Sequence, residues 1–286
     1  MTGSNHSAAS GCMRISLCNE VIRELPFERQ CEFARWVGYD GLEIAPFTLS
    51  DEPHMLSAGR RSAMRGVAAD AGVAITSLHY LLLTPKGLSI TSSDPALRAR
   101  TIDVMRRLCD LAADLGARVL VHGSPAQRTL ATGKEEEGRK YGTESFAAVA
   151  EAASQAGVVY CIEPLARPEA QFVTTVEEAA AIVRAIANPA IRTMVDCSAA
   201  GRAEVQSVPD LLRQWLPTGL ISHVHFNDPN RRGPGEGSLA FGPILRALAE
   251  SGYQGMAAIE PFVYEPDGPA CAARAIGYIR GVMEGG

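Results

Sequence analysis

VVYCIEPLARPEAQFVTTVEEAAAIVRAIANPAIRTMVDCS, residues 158–198, contains the unit from which the fold is read. It opens with a short apolar run ending on Glu163 and closes with a second run ending on Asp196. Between them lies a stretch of helical period. Thr175 with Glu178 three residues later forms a capping box, and Pro189 stops the helix. Apolar run, helix, apolar run is the signature of a strand, a crossover helix and a second strand parallel to the first.

The same alternation continues outward in both directions. RISLCNE (14–20), GLEIAP (41–46), AITSLHYLL (74–82) and RVLVHGS (118–124) precede the unit, and ISHVHFND (221–228) and GMAAIEPF (255–262) follow it, so that eight strands are predicted. Asp94 before Pro95 opens ALRARTIDVMRRLCDLAADLG, read as the longest helix, and Gly116 closes it. KEEEGRK (134–140) reads as a solvated loop. The strands are nearly continuous in apolar residues, as in sheets covered on both faces. The expectation is an α/β protein with one (β/α)8 TIM barrel over residues 13–286, preceded by a disordered, small and polar segment at 1–12. A chain of 286 residues, 47% hydrophobic, suits one barrel core better than two small ones.

Composition narrows the function. The net charge of -5 gives no footprint for nucleic acid, so a small molecule is the expected partner. Seven scattered cysteines, odd in number and without a Cys-x-x-Cys pair, argue against a disulfide framework or a thiolate zinc site and suit a reducing compartment. No apolar run approaches the ~18 residues that span a bilayer. The reading is a cytoplasmic protein without membrane contact. Barrels of this kind often pair as homo-oligomers, but no feature of the chain demands it.

In a βα barrel the chemistry sits where the strands end. Glu43, His79, His122, Glu163, Asp196, His225 and Glu260 occupy those positions. Carboxylates ending strands five, six and eight, with a histidine ending strand seven, would converge at one rim. Unneutralised, they would repel and raise one another's pKa. A cation removes the conflict. Three carboxylates and one imidazole form a hard ligand set that suits one divalent ion, Mn²⁺ first, then Mg²⁺, Co²⁺ or Zn²⁺. His223 points to the same face as His225, one layer deeper, and is expected to be a hydrogen-bonded core residue. Cys161 and Cys197 are expected in the core.

IEPLARPE (162–169), MVDCS (194–198), HVHFNDPNR (223–231) and IEPF (259–262), in that order, resemble the xylose isomerase-like barrel superfamily. The likeness is greatest to its sugar phosphate isomerase/epimerase branch, which includes the D-tagatose 3-epimerase-like proteins. The resemblance covers nearly the whole chain. It implies that Glu163, Asp196, His225 and Glu260 are the metal ligands and that Glu169 and Arg231 contact substrate hydroxyls. One position departs: where the epimerases carry a substrate-binding histidine, three residues after the strand-six aspartate, this chain has Ala199. His79 and His122 are candidates to supply substrate contacts instead, or are structural histidines.

The implied reaction is isomerisation or epimerisation of a small ketose, keto-polyol or sugar phosphate. The metal polarises a carbonyl while Glu163 and Glu260 act as base and acid on the adjacent carbon. The alternative is a metal-dependent lyase or dehydratase that eliminates from a keto-sugar or keto-inositol. An abasic-site endonuclease would need further histidines after strands six and seven, and a non-catalytic binding protein would have broken ligand positions; neither feature is present. Arg231 and Arg232, beside a glycine-rich loop, are candidates for receiving a phosphate.

Overall fold

A computed structural model describes residues 13–285, so the segment expected to be disordered at 1–12 lies outside the described residues. The elements run β1 (Ile15–Cys18), α1 (Phe27–Val37), β2 (Gly41–Ile44), α2 (Ala58–Asp70), β3 (Ala74–Leu78), α3 (Pro95–Leu115), β4 (Val119–His122), α4 (Glu135–Ala156), β5 (Val159–Ile162), α5 (Val176–Ile186), β6 (Ile191–Asp196), α6 (Cys197–Ala203), α7 (Val208–Trp215), β7 (Ile221–Phe226), α8 (Phe241–Glu250), β8 (Ala257–Ile259) and α9 (Gly268–Gly285). Each strand pairs in parallel with the next, and β8 returns to β1 through Ile259 and Leu17, closing the barrel. All eight predicted strands are present, and the fold is a single (β/α)8 TIM barrel.

Local chemistry sets most helix ends. The Asp94 side chain accepts from Ala96 N at 2.9 Å, Pro95 occupies the first helical position and Gly116 leaves α3 at φ 87°. Thr175 caps α5 by accepting from Glu178 N. The capping box is shifted by one residue, because the Glu178 carboxylate accepts from Thr174 N at 2.8 Å and binds Arg139 with its other oxygen. Helix α5 ends at Ile186, before Pro189.

The expected loop at 134–140 is a helix. Helix α4 starts at Glu135 and runs 22 residues, one more than α3, so α3 is not the longest either. Glu135, Glu136 and Glu137 fill its first turn, where carboxylates complement the helix dipole. Its glycines obscure the pattern in sequence, yet Gly142 is needed: a Cβ there would lie 2.3 Å from Phe172.

Two register shifts interrupt the ladders, between Leu42 and Glu43 and between Thr193 and Met194. Such irregularities re-aim the side chains that follow, and here those lead to the carboxylates of Glu43 and Asp196. Among the described residues no helix is long and apolar enough to cross a membrane.

Candidate metal centre and its cavity

Four strand ends deliver the centre. Glu163 follows β5, and its backbone N–H donates to His122 O. Asp196 ends β6 and caps α6, with one oxygen accepting from Ala199 N and the other from Asn227 Nδ2 at 2.7 Å. His225 sits in β7, and Glu260 follows β8, its N–H donating to Phe226 O. All four are buried, and their ligand atoms lie within 4.8 Å of one another. His225 Nδ1 is 2.9 Å from Glu260 Oε2, 3.5 Å from Glu163 Oε1 and 3.8 Å from Asp196 Oδ2.

The electrostatics fit a divalent cation. Burial, then Glu163 and Glu260, push the Asp196 carboxyl up to about 7. Burial would lower the His225 imidazole, yet Glu260 and Glu43 hold it well above its ordinary value. His225 Nδ1, despite its carboxylate neighbours, makes no hydrogen bond of proper geometry. Three crowded carboxylates and a ring nitrogen left free of a hydrogen bond form a donor set that one ion would satisfy.

Behind these four residues lies a second polar layer. Glu43 Oε1 is 2.8 Å from His225 Nε2, Glu43 Oε2 is 2.7 Å from His223 Nε2, and the Ser77 hydroxyl donates to Glu43. Burial would raise Glu43, but His223 and His225 hold it well below the usual carboxylate range. His223 lies in the deeper layer, as expected, with its Nε2 beside a carboxylate, but neither ring nitrogen makes a hydrogen bond of proper geometry, so it is not the hydrogen-bonded core residue expected. Cys161 and Cys197 are fully buried, as expected.

The other two strand-end histidines are sealed away from solvent. His79 is held at both ring nitrogens, Nδ1 by Glu260 Oε1 at 2.9 Å and Nε2 by Glu20 Oε2 at 2.8 Å. His122 lies 2.8 Å from the Tyr160 hydroxyl through Nδ1 and edge-on to Phe146 at 5.0 Å. Burial, with Arg128 nearby, lowers the His122 pKa. Neither ring lines the cavity described next. Their positions at strand ends are real, but the rings turn into the protein, where carboxylates take up both nitrogens of His79 and the Tyr160 hydroxyl takes up Nδ1 of His122, leaving His122 Nε2 without a hydrogen bond.

Two details fix Glu163. Arg128, fully buried, donates to the Glu163 carbonyl at 2.7 Å and to the Ser124 and His122 carbonyls at 3.3 Å. Gly123 makes room for the carboxylate, since a Cβ there would lie 1.7 Å from Glu163 Oε2.

A cavity of about 250 Å³ opens over Glu163, Asp196 and Glu260. Glu169 and Arg231 line it, as does Ala199. Sequence reading missed Tyr80 and Arg202, and gave Phe262 no role. Arg202, on α6, holds Glu169 in a two-point ion pair at 3.0 and 3.2 Å. Arg231 lies 4.9 Å over the Phe262 ring. Arg231 at φ 67° and Tyr80 at φ 51° both take left-handed backbone, a strain that clusters where side chains must be aimed. That strain is visible only in the fold. Arg232, with Arg231 a candidate for receiving a phosphate, is paired with Glu265.

The family described as "Xylose isomerase-like TIM barrel" matches residues 31–282. A D-psicose 3-epimerase from Ruminiclostridium cellulolyticum is 27% identical over 244 residues, 84% of this chain and 80% of that protein. A fructoselysine 3-epimerase from Shigella flexneri is 24% identical, covering 88% of this chain and 91% of its own. Among solved structures, D-psicose 3-epimerase from Clostridium cellulolyticum with D-tagatose superposes at TM-score 0.81 with 22% identity, covering 94% of this chain and 99% of the other. The apo 3-keto-D-glucoside 4-epimerase from E. coli superposes at 0.79 with 19% identity, over 94% of this chain and 99% of the other. At those identities the structural likeness speaks for the fold.

Proposed function

We propose, from the premise that this chain belongs to the xylose isomerase-like TIM barrel family, that it is a divalent-metal-dependent epimerase of a small ketose or ketose derivative. The observation that carries the reading is the convergence of Glu163, Asp196, His225 and Glu260 beneath one cavity of about 250 Å³. These four would hold the ion, and the oxygen-rich set suits Mn²⁺ first. A bound ion supplies a Lewis acid that polarises the substrate carbonyl and makes the neighbouring C–H acidic.

The rest falls to the chain's own groups. Glu163 and Glu260 stand directly after β5 and β8 with His225 between them. One removes the proton from the carbon beside the carbonyl, and the other returns a proton to the opposite face, which inverts that carbon. The paired Glu169 and Arg202, together with Arg231, line the path to the reacting carbons and would hold substrate hydroxyls. Tyr80 and Phe262 line the same cavity with aromatic surface.

The names of the relatives favour returning the proton over eliminating a group, so epimerisation is preferred to the lyase reading. A cytoplasmic location, with a reduced pool keeping the cysteines as thiols, accompanies this reading. The test is proton exchange: Mn²⁺-loaded protein in D₂O with a panel of ketoses, keto-inositols and their phosphates. Deuterium entering at the carbon beside the carbonyl, abolished by EDTA, is the expected result. An unsaturated product without exchange into recovered substrate would overturn epimerisation in favour of elimination.

A further inference from the structure

Glu260 offers its two oxygens to different neighbours. Oε2 lies 2.9 Å from His225 Nδ1, inside the ligand cluster, while Oε1 lies 2.9 Å from His79 Nδ1, outside it. His79 is held from behind by Glu20, whose Oε2 is 2.8 Å from Nε2. Glu20, His79 and Glu260 are at most 7% exposed, so water does not compete for these contacts. Glu20 follows β1, His79 follows β3 and Glu260 follows β8, so one line of contacts ties three strand ends together.

Glu163 has no such arm. Its Oε1 is 3.5 Å from His225 Nδ1, its carboxylate rests over the bare backbone of Gly123, and Arg128 fixes only its carbonyl. The two glutamates proposed as acid and base are therefore held differently, one with an oxygen engaged outside the cluster and the other facing only His225 within it.

We infer that His79, anchored by Glu20, is a positioning residue that keeps Glu260 Oε1 engaged so that Oε2 alone faces the ion site. It does not line the cavity, so it acts through Glu260. Partners of this kind fix ligand orientation, and their loss costs roughly 10–100-fold in metal affinity or activity. The inference rests on the metal centre proposed above but needs no sugar for its test.

The apo protein is titrated with Mn²⁺ against a fluorescent chelator, for the wild type and for His79→Leu, His79→Gln and Glu20→Gln, with each variant's fold checked by circular dichroism. His79→Leu is expected to weaken Mn²⁺ binding by roughly 10–100-fold. Glu20→Gln is expected to weaken it less, and His79→Gln, whose amide can still donate to Glu260, to recover part of the loss. In turnover, kcat should fall in these variants while KM stays within about twofold, because a group outside the cavity does not bind substrate. Wild-type Mn²⁺ affinity in a folded His79→Leu overturns the inference. If that variant does not fold, wild-type affinity in both Glu20→Gln and His79→Gln overturns it. Failure of the epimerase reading would appear separately, as a wild-type protein that binds Mn²⁺ yet exchanges no sugar proton.

Discussion

Glu43 Oε1 sits 2.8 Å from Nε2 of His225, the ring nitrogen opposite the one that faces Glu163, Asp196 and Glu260. A carboxylate on that nitrogen fixes the orientation of the ring and makes Nδ1 a better donor to a cation. Replacing Glu43 by Gln should weaken Co²⁺ binding by roughly 10–100-fold and alter the visible spectrum of the Co²⁺-loaded protein. A spectrum and titration curve identical to the wild type would remove Glu43 from this role.

Glu163→Gln and Glu260→Gln are each expected to lower the rate of deuterium exchange by at least ~10²-fold, the scale of a lost acid or base. The far-ultraviolet spectrum should be unchanged. Full exchange in either variant would sink the two-carboxylate scheme.

Gly123→Ala would place its Cβ 1.7 Å from Glu163 Oε2, so the carboxylate must move. The barrel should still fold, with Mn²⁺ stoichiometry or exchange activity sharply reduced. Wild-type values for both would mean that Glu163 has room the structure does not show.

Arg231→Gln removes a cation that lines the cavity without touching the ligand cluster. Uniform binding is lost in such a case, so KM should rise about tenfold with kcat nearly unchanged. Equal losses in kcat and kcat/KM would instead assign Arg231 to the transition state.

Metal stabilisation should grow with pH. Asp196, raised to about 7 by burial, Glu163 and Glu260, has a folded pKa above its unfolded value. The metal-free fold is therefore favoured below the ordinary carboxylate range and loses that advantage as pH rises through about 7. His225 and His79, also raised against the effect of burial by their carboxylate neighbours, act in the same direction. Mn²⁺ at a hundredfold excess over its Kd contributes about 2.7 kcal/mol, or several degrees in Tm. The Mn²⁺-induced rise in Tm should be larger at pH 8 than at pH 5. An equal or smaller rise at pH 8 would contradict the charge account of the site.

The eight strands were legible because parallel strands buried on both faces leave an apolar run, and each run here ends on a polar residue. The quartet Glu163, Asp196, His225 and Glu260 was legible for the same reason. What sequence could not supply was the direction of a side chain after its strand ended. His79 and His122 occupy the same kind of position as His225, yet Glu20 and Tyr160 turn their rings into the protein. Arg202 and Tyr80 reach the cavity from the last turn of a seven-residue helix and from a left-handed turn, neither of which has a periodic signature. Helix α4 was hidden because its glycines, one of them admitting Phe172, break the pattern of good helix formers.

The pairing of β8 with β1 also has a bearing on biosynthesis. Glu260 directly follows β8, the strand that closes the barrel by pairing with β7 on one side and β1 on the other. A nascent chain still short of Gly255 carries three of the four proposed ligands on a sheet whose edges have not met. Synthesis must therefore pass Glu260 before the four side chains can converge, and selection of an ion by them would fall to the closed barrel.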